Sequence, residues 1–400
     1  MRAFDNAKKY SPEEVLAQIA SSGLKEYGLY QEPVVDRWNK LSSGDEEAKS
    51  RTLVAALNNS DTIGIFLELL KQDQEQIIEG MKIAAYALNA DRMILQLPEF
   101  AKELAAELSE LARENEIEVL ADFIDIREYR DKDYYINHIV TMKNLYDIFT
   151  DQYVDGTYIS INGSKLKKYP NSTKLSELID DKNLKGLIIG HCIHSVSVLN
   201  QTVGEFNIPN GLIKTLTEDN CIIHEVNQWM AAYHKQSCGK CVFCREGLIQ
   251  LHGMIKDTTE GKGKEEYISI INEIGSAMIY STLCSLGQES AKIALSSLEH
   301  FSQEFEEHIK KKKCNAKICS SFQMIYIDPI ICQGCEDCQD VCPVDCIDGK
   351  KGFIHMIDEF ECTKCGECIK ACEYGAIIQT TGRVPKLPDR LIKCGKFRKR

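Results

Sequence analysis

The residues best suited to chemistry in this sequence are its 18 cysteines. Two stretches, CQGCEDCQDVCP from Cys332 and CTKCGECIKACE from Cys362, share the template C-x-x-C-x-x-C-x-x-x-C at an offset of thirty residues. Such short gaps let one loop supply three thiolates to an iron–sulfur cubane, while the fourth cysteine reaches the cluster of the other repeat. The spacing therefore predicts two [4Fe–4S] sites. Their ligands are Cys332, Cys335, Cys338 and Cys372 for the first, and Cys362, Cys365, Cys368 and Cys342 for the second.

A further run, SCGKCVFCREG at residues 237–247, stops after three cysteines, Cys238, Cys241 and Cys244. Two segments of helical pattern follow it, joined by the glycine-containing turn TTEGKGKEE. Helices joined in this way are antiparallel neighbours, so the chain returns to its starting point. Cys284 is delivered there and is the predicted fourth ligand of a third [4Fe–4S] site. Cys221, upstream of the run, is the rival for that position.

The composition limits what else the chain could do. A formal net charge of -12 argues against a nucleic-acid partner, which would need a basic face. The sequence contains no apolar stretch of 18 residues or more, and its start lacks the core of a signal peptide, so we expect no membrane insertion. We expect a cytoplasmic protein, in which closely spaced cysteines bind metal rather than form disulfides.

The cysteine run followed by LCSLG resembles the iron–sulfur helical bundle of the complex I flavoprotein, the F-type subunit. It is also similar to the β subunits of electron-bifurcating hydrogenases and NAD-linked formate dehydrogenases, which carry a C-terminal two-cluster ferredoxin as here. The resemblance covers nearly the whole chain and is strongest after about residue 210. It implies an α+β multidomain protein.

The resemblance also implies a domain order. The parts are a degenerate α/β flavin-type domain at 1–150, a soluble-ligand-binding β-grasp module at 151–212, a helical iron–sulfur bundle at 213–312, a linker with a metal site at 313–325, a bacterial-type 2[4Fe–4S] ferredoxin domain at 326–380 and a basic tail at 381–400, expected to be mobile and solvated. Within the first domain, QIIEGMKIAAYALNA predicts a helix and RMILQL a short buried strand. Between the two ferredoxin repeats, KGFIHMID alternates as an exposed strand does.

The flavin-type domain departs from its family at one loop. Relatives hold FMN and NADH with a glycine-rich loop that starts SGLRGRGG, whereas here residues 22–38 read SGLKEYGLYQEPVVDRW. After Gly23 and Gly28, the loop continues with Leu29, Tyr30, Gln31, Glu32 and Pro33. A phosphate needs close approach to backbone N–H groups, which these side chains block and which the carboxylates of Glu26 and Glu32 oppose. We therefore predict a domain that kept its fold and lost its FMN and NADH site.

A further metal site is implied only by the resemblance. The segments DNCII, EEHIKKKKC and CNAKIC match positions that surround a structural metal, taken as zinc, in bifurcating-hydrogenase β subunits. The implied ligands are Cys221, His308, Cys314 and Cys319, an acceptable set for tetrahedral zinc. The alternative is free thiols beside a solvent-facing histidine.

Other cysteines and histidines receive a structural interpretation. His191, Cys192 and His194 lie in the apolar stretch GHCIHSVS and are expected to be structural. Cys346 falls outside the repeat template and is expected to be a small buried side chain.

The predicted sites favour electron transfer over substrate chemistry. Three cubanes without a hydride acceptor pass electrons singly, and we find no nucleophile–base pair, carboxylate dyad or phosphate-binding loop in the sequence. The prediction is a non-catalytic electron-transfer subunit of a larger anaerobic oxidoreductase complex, with a flavin-containing or substrate-converting subunit, or a ferredoxin, as partner. Two alternatives stay open: an NADH-dependent, FMN-containing dehydrogenase subunit with a divergent flavin site, and an iron–sulfur carrier or scaffold with labile clusters.

Overall fold

A computed structural model describes residues 3–28, 30–42, 50–124, 134–180, 182–381 and 384–398. The chain is a mixed α/β multidomain protein that divides into two compact units. Unit 1 comprises Met1–Thr217, Gln228–Gly253 and Ile268–Phe301, and unit 2 comprises Glu218–Asn227, Met254–Tyr267 and Ser302–Arg400. Leu29, one of the residues that replace the expected glycines, lies outside the described residues.

Unit 1 begins with a parallel four-stranded sheet in the order β3-β2-β1-β4. Its elements are α1 Ala3–Ala7, α2 Pro12–Ser21, α3 Val34–Ser42, β1 Thr52–Ala56, α4 Ile65–Gln72, α5 Gln74–Leu88, β2 Arg92–Leu97, α6 Lys102–Glu114, β3 Ile117–Ala121, β4 Tyr134–His138 and α7 Ile139–Ile148. The predicted helix and strand are found as α5 and β2. Gly80 lets α5 pack closely on α7, because a Cβ there would lie 1.8 Å from the carbonyl oxygen of Met142.

A second, five-stranded sheet follows in the order β6-β5-β9-β7-β8. Its elements are β5 Gly156–Ile161, β6 Lys167–Pro170, α8 Leu175–Leu178, β7 Leu184–Ile189, β8 Cys192–Ser195 and β9 Leu212–Thr217. Only β5 and β9 pair in parallel. The predicted boundary between residues 212 and 213 was wrong, because β9 stays paired with β7 as far as Thr217. The assignment of this sheet as a β-grasp module stays a prediction.

Five helices come next along the chain. They are α9 Ile222–Gln236, α10 Val242–Thr259, α11 Glu266–Ser281, α12 Ser285–Glu289 and α13 Lys292–Ile309. The start of α10 lies against the end of α11, since a Cβ on Gly247 would meet the Met278 sulfur at 2.5 Å. This is the antiparallel arrangement expected from the sequence, and it returns the chain to the cysteine run just before Cys284.

The last part of unit 2 is a small domain with two short, two-stranded antiparallel sheets. Its elements are β10 Met324–Ile327, α14 Asp337–Asp340, β11 Ile347–Asp348, β12 Met356–Ile357, α15 Glu367–Ala371 and β13 Ile377–Thr380, with β10 paired to β13 and β11 to β12. The domain therefore starts at Met324 rather than at residue 326. The strand predicted over KGFIHMID was too long, because Ile354 and His355 are both buried and break the alternation.

The basic tail also differs from expectation. The Ile354 amide donates to the Ile392 carbonyl at 2.9 Å, and the Cys394 amide donates to the Gly352 carbonyl at 3.1 Å. Ile392, Cys394 and Phe397 pack on the core of the small domain, so the prediction of a solvated tail was wrong for this segment. Residues 382–383 and 399–400 of the tail lie outside the described residues.

Membrane-spanning elements were searched for over the same residues. Within the described part of the chain, none of the helices combines the length and apolar character needed to cross a bilayer.

Candidate iron–sulfur and metal centres

The two cysteine repeats of unit 2 begin with the same turn. In each, the side chain of an aspartate, Asp328 or Asp358, accepts a hydrogen bond from the amide two residues later, at 2.8 and 2.9 Å. The carbonyl oxygen of the same aspartate accepts from the amide of Cys332 or Cys362, at 3.0 Å in both repeats. The turn thus fixes the first cysteine of each repeat before any metal is bound.

Left-handed residues then let each short loop curve around its centre. Gly334 and Lys364 occupy equivalent places with φ of 68° and 59°, and Glu336 and Gly366 with φ of 80° and 79°. The second of these positions precedes α14 or α15, whose first turn carries the third cysteine of the repeat. Two residues in this conformation are what a loop needs to direct several side chains and amides inward.

The cysteines of the two repeats line two separate hollows. Each hollow takes three cysteines from one repeat and the fourth from the other, as the spacing predicts. The first is lined by Cys332, Cys335, Cys338 and Cys372, and the second by Cys362, Cys365, Cys368 and Cys342. The structure therefore brings both predicted sets together.

The chemistry of these thiols fits a cationic iron–sulfur cluster. Burial, with repulsion from Cys332, Cys335 and Cys372, raises the pKa of Cys338 to about 12. Thiols crowded in this way ionise only when a metal neutralises them, so metal binding releases protons. His355 also lines the first hollow, donates from Nδ1 to the Phe353 carbonyl at 3.1 Å, and leaves a buried Nε2 without a partner among the described residues. A bound group would provide that partner.

The third predicted set lies in unit 1, around the start of α10. Burial, with repulsion from Cys284, Cys238 and Cys241, raises the pKa of Cys244 to about 11, which places the four thiols in one electrostatic cluster. Cys284 immediately precedes α12, and burial raises the pKa of its thiol. The structure thus places Cys284 with the run, whereas the rival, Cys221, lies in unit 2.

A different kind of centre lies elsewhere in unit 2. The ligand atoms of Cys221, His308, Cys314 and Cys319 are all buried and lie within 4.8 Å of one another. The Nε2 atom of His308 is 3.3 Å from the Cys221 sulfur and 3.6 Å from the Cys319 sulfur, and these two sulfurs are 3.7 Å apart. Such short separations suit one tetrahedral ion rather than a four-iron cluster.

The surroundings of His308 prepare it to bind a metal. Its Nδ1 donates to the Glu304 carbonyl at 2.9 Å, which directs Nε2 at the thiols. Burial lowers the pKa of His308, but contacts with Cys221 and Cys314 outweigh it and raise the pKa to about 10. Without a metal the site therefore holds a proton between the imidazole and a thiolate, a place that a cation takes on binding.

The histidines of GHCIHSVS are used in packing. His191 is buried, and its Nδ1 lies 2.6 Å from the Tyr233 hydroxyl. The His194 ring stands 5.4 Å from Phe206 and 5.6 Å from His300. Within the described part of the chain, neither belongs to a group of three or more close metal-binding side chains.

The loop that replaces the glycine-rich sequence closes on itself. Glu26 is 4% exposed, and its carboxylate accepts hydrogen bonds from the His138 amide at 2.6 Å and from the Asn137 side chain. Its amide donates to the Glu32 carbonyl at 2.8 Å, and the Tyr27 amide donates to the Thr141 hydroxyl at 3.1 Å. These amides are therefore not free to bind a phosphate, and the buried carboxylate adds negative charge.

The Tyr27 side chain fills the space beside this loop. Its ring lies 4.9 Å from His138 and 5.3 Å from Phe66, and its hydroxyl donates to the Ile208 carbonyl at 2.9 Å. His138 ends β4, the neighbour of β1 where the strand order reverses and where open α/β sheets usually hold ligands. The residues present do not fit the phosphate cradle of FMN.

A larger cavity, of about 710 Å³, opens beyond the carboxyl ends of β1, β2 and β3. Its lining includes Asn58, Asp61, Gln96 and Cys238. Asp61 is 2% exposed, its Oδ2 has no partner among the described residues, and burial raises its pKa to about 6. This cavity was not predicted from the sequence, although polar residues directly after buried strands are a signal for one.

Comparisons with known proteins match the two regions that contain most of the cysteines. Residues 224–308 match the NADH-ubiquinone oxidoreductase-F iron-sulfur binding region, and residues 331–376 match the 4Fe-4S dicluster domain. The HndC subunit of the NADP-reducing hydrogenase of Solidesulfovibrio fructosivorans is 34% identical over 170 residues, 42% of this chain and 35% of that protein. The F subunit of the NADH-quinone oxidoreductase of Streptomyces coelicolor is 34% identical over 102 residues, 26% of this chain and 23% of that protein.

The structural comparison extends the similarity toward the N-terminus. A crystal structure of NAD+-reducing [NiFe]-hydrogenase in the H2-reduced state matches 76% of this chain and 64% of that chain, with a TM-score of 0.64 and 16% identity. At that identity the match supports the fold alone. The chain thus aligns with about a third or less of the curated relatives described above. The resemblance to F-type subunits and hydrogenase relatives is confirmed, and the chain carries two 4Fe-4S regions.

Proposed function

We propose that this chain, which carries the iron–sulfur regions of F-type oxidoreductase subunits, is an electron-transfer subunit with three [4Fe–4S] centres in a larger complex. The observation that carries the proposal is the crossed arrangement of the two hollows, each lined by cysteines of both repeats. Only a chain built to hold two four-iron clusters needs that exchange of the fourth ligand. Cys238, Cys241, Cys244 and Cys284 would hold the third centre in unit 1.

The role of the chain is to hold these centres and set their surroundings. A bound [4Fe–4S] cluster takes up and releases one electron at a time, at a potential set by burial and hydrogen bonds. Cys332, Cys338 and Cys368 are each 7% exposed and keep water away from the sulfur atoms. No side chain is assigned a bond-making step.

We propose that the group of Cys221, His308, Cys314 and Cys319 holds one structural zinc ion. Its three thiols and one imidazole form a closed donor set, with no place left for a substrate. The ligands come from the start of α9, the end of α13 and the segment before β10. The ion would tie these three segments of unit 2 together.

We further propose that the FMN and NADH site is lost. The loop at residues 22–33 directs its amides to internal acceptors and places the Glu26 carboxylate where an anion would bind. Electrons would then enter from another protein that converts a flavin or a substrate, or from a ferredoxin. By analogy with the two curated relatives, which are subunits of a hydrogenase and of an NADH-quinone oxidoreductase, that protein would belong to the same complex. We place this complex in the cytoplasm.

One observation favours the alternative of an NADH-dependent flavin dehydrogenase. The cavity of about 710 Å³ borders Cys238 and contains the buried carboxyl group of Asp61. A redox-active ligand bound there would lie beside the proposed centre in unit 1. The alternative requires a ligand held differently from the FMN of the relatives.

Metal and flavin analysis of the full chain, purified without oxygen, tests these proposals. We expect about twelve iron atoms and about one zinc per chain, from the ligand sets, and no flavin. Dithionite should reduce the centres, whereas NADH alone should not. Stoichiometric FMN with reduction by NADH would overturn the loss of the flavin site. Rapid transfer of iron to an apo-ferredoxin would favour a carrier instead.

A further inference from the structure

The second hollow holds a fifth cysteine that the repeat template does not require. Cys346 lies four residues after Cys342, whereas the equivalent position after Cys372 is Ala376. The two repeats therefore differ at a position four residues after their fourth cysteine, the one that reaches the cluster of the other repeat. At this position the second set has an extra thiol and the first set does not, although Cys394 of the C-terminal segment interacts with Cys332 of the first set.

The geometry brings this thiol into direct contact with two proposed ligands. Cys346 is 5% exposed, and its sulfur lies 3.6 Å from the sulfur of Cys342. It is also in hydrogen-bonding contact with Cys362 and lines the same hollow as the four assigned cysteines. Its carbonyl oxygen accepts from the Asp358 amide at 2.8 Å, which holds the backbone next to β11 in place.

We propose that Cys346 is an alternative fourth ligand of the second centre, interchangeable with Cys342. The inference rests on the proposed function, since it assumes a four-iron cluster held by Cys362, Cys365 and Cys368. It assigns to Cys346 a role that its place outside the template does not suggest. The second centre would thus keep its iron when either of the two thiols is removed, and the first centre would not.

The exchange is balanced without any redox partner. The bond between iron and the Cys342 sulfur breaks, and a bond between iron and the Cys346 sulfur forms. The proton of the Cys346 thiol moves to Cys342, which is close enough to receive it directly at 3.6 Å. No electron is transferred. The thiol left unbound remains next to the bound sulfur, where an S–H donor affects the potential of the cluster.

Serine and alanine variants of the full chain, purified without oxygen, test the exchange. Cys342→Ser should keep all of its iron and show a changed electron paramagnetic resonance spectrum, and Cys346→Ala should keep its iron as well. The double variant Cys342→Ser/Cys346→Ala should lose about four iron atoms. The proposal is overturned if Cys342→Ser alone loses as much iron as the double variant.

The first centre supplies a matched control and a position, Ala376, where a cysteine equivalent to Cys346 can be introduced. Cys394→Ser is made in both control proteins, because Cys394 interacts with Cys332. In that background Cys372→Ser should lose about four iron atoms because Ala376 cannot replace the thiolate, and Cys372→Ser/Ala376→Cys should recover them. If Cys342→Ser does not fold, the iron content of Cys372→Ser/Ala376→Cys becomes the test. Failure of this variant to recover iron overturns the proposal. Iron absent from this domain in the unaltered chain would instead overturn the proposed function, so the two failures are distinguishable.

Discussion

The loop at residues 22–33 and the dicluster domain both contain short, turn-rich segments, but the polar groups of the two segments have opposite roles. In the dicluster domain, left-handed residues at positions such as Gly334 and Gly366 direct the cysteines inward around a hollow. In the loop, the polar groups bond to other parts of the same chain. The Glu26 carboxylate accepts from the amide of His138 in β4, and the Tyr27 ring packs against the His138 ring. The cysteines of the dicluster domain face a space that a bound group could fill, whereas the polar groups of the loop bond to neighbouring parts of the chain.

The contrast also separates two kinds of buried polar group. Burial, with repulsion from neighbouring thiols, raises the pKa of Cys338 and of Cys368, so their thiolate forms are disfavoured unless a cation is bound beside them. The Glu26 carboxylate already has two donors from β4, so it stabilises the fold without any ligand. The same degree of burial therefore indicates a binding site in one region and a structural bond in the other.

The largest effect is expected from removing one cysteine ligand of a proposed cluster. Cys368→Ser should lower the iron content by about four atoms per chain, because Cys368 is a buried ligand and Cys346, the fifth cysteine of this hollow, is proposed to replace Cys342 alone. Cys192→Ser, which alters a cysteine outside all the sets, is the control and should keep all of its iron. Iron analysis and the spectrum of the reduced protein measure the difference. Unchanged iron in Cys368→Ser would contradict the assignment.

A second change removes a ligand of the proposed zinc site and does not alter the cysteines of the two hollows. Cys314→Ser should release about one zinc per chain and make unit 2 markedly less stable to heat, since structural zinc contributes directly to folding. Iron should stay unchanged. Zinc analysis and thermal unfolding monitor the result. A variant that keeps its zinc would show that Cys314 is not a ligand.

Breaking the loop should have a smaller effect, on stability rather than on metal content. Glu26→Ala leaves the His138 amide and the Asn137 side chain without their buried acceptor, which costs about 1–3 kcal/mol. Glu32→Ala is the control, because Glu32 is exposed and its carboxylate pairs with Lys40 at 3.2 Å on the surface. That change should cost less than about 1 kcal/mol. Thermal unfolding of both variants provides the comparison, and equal losses would contradict it.

The smallest effect concerns the buried carboxyl group in the cavity of unit 1. Burial raises the pKa of Asp61 to about 6, so the folded state prefers the protonated form. The resulting stability is fully present below the ordinary pKa of an aspartate and is lost as the pH rises through about 6. Between about pH 5.5 and 7.5 the loss should be about 1 kcal/mol. Asp61→Asn should reduce this pH dependence of the melting temperature, and an unchanged dependence would assign it to other groups.

The sequence was most informative where short spacing alone determines geometry. The short gaps among Cys332, Cys335 and Cys338 place all three in one loop, and the apolar pattern of QIIEGMKIAAYALNA predicts the helix found as α5. It was less informative where distant segments meet. The pairing of Ile354 with Ile392 depends on a tail that has no periodic pattern, so it was missed. The contact of Cys346 with Cys342 depends on a turn whose curvature the residue types do not reveal.

The pairing of β10 with β13 places Met324 opposite Thr380. The chain therefore enters and leaves this small sheet at neighbouring points, before the segment up to Phe397 packs back on the core of the same domain. A module with adjacent ends can be added to a host protein, or deleted from it, while few other contacts change. Gene fusion and loss would then be simple routes by which related proteins come to differ in the number of redox centres they carry.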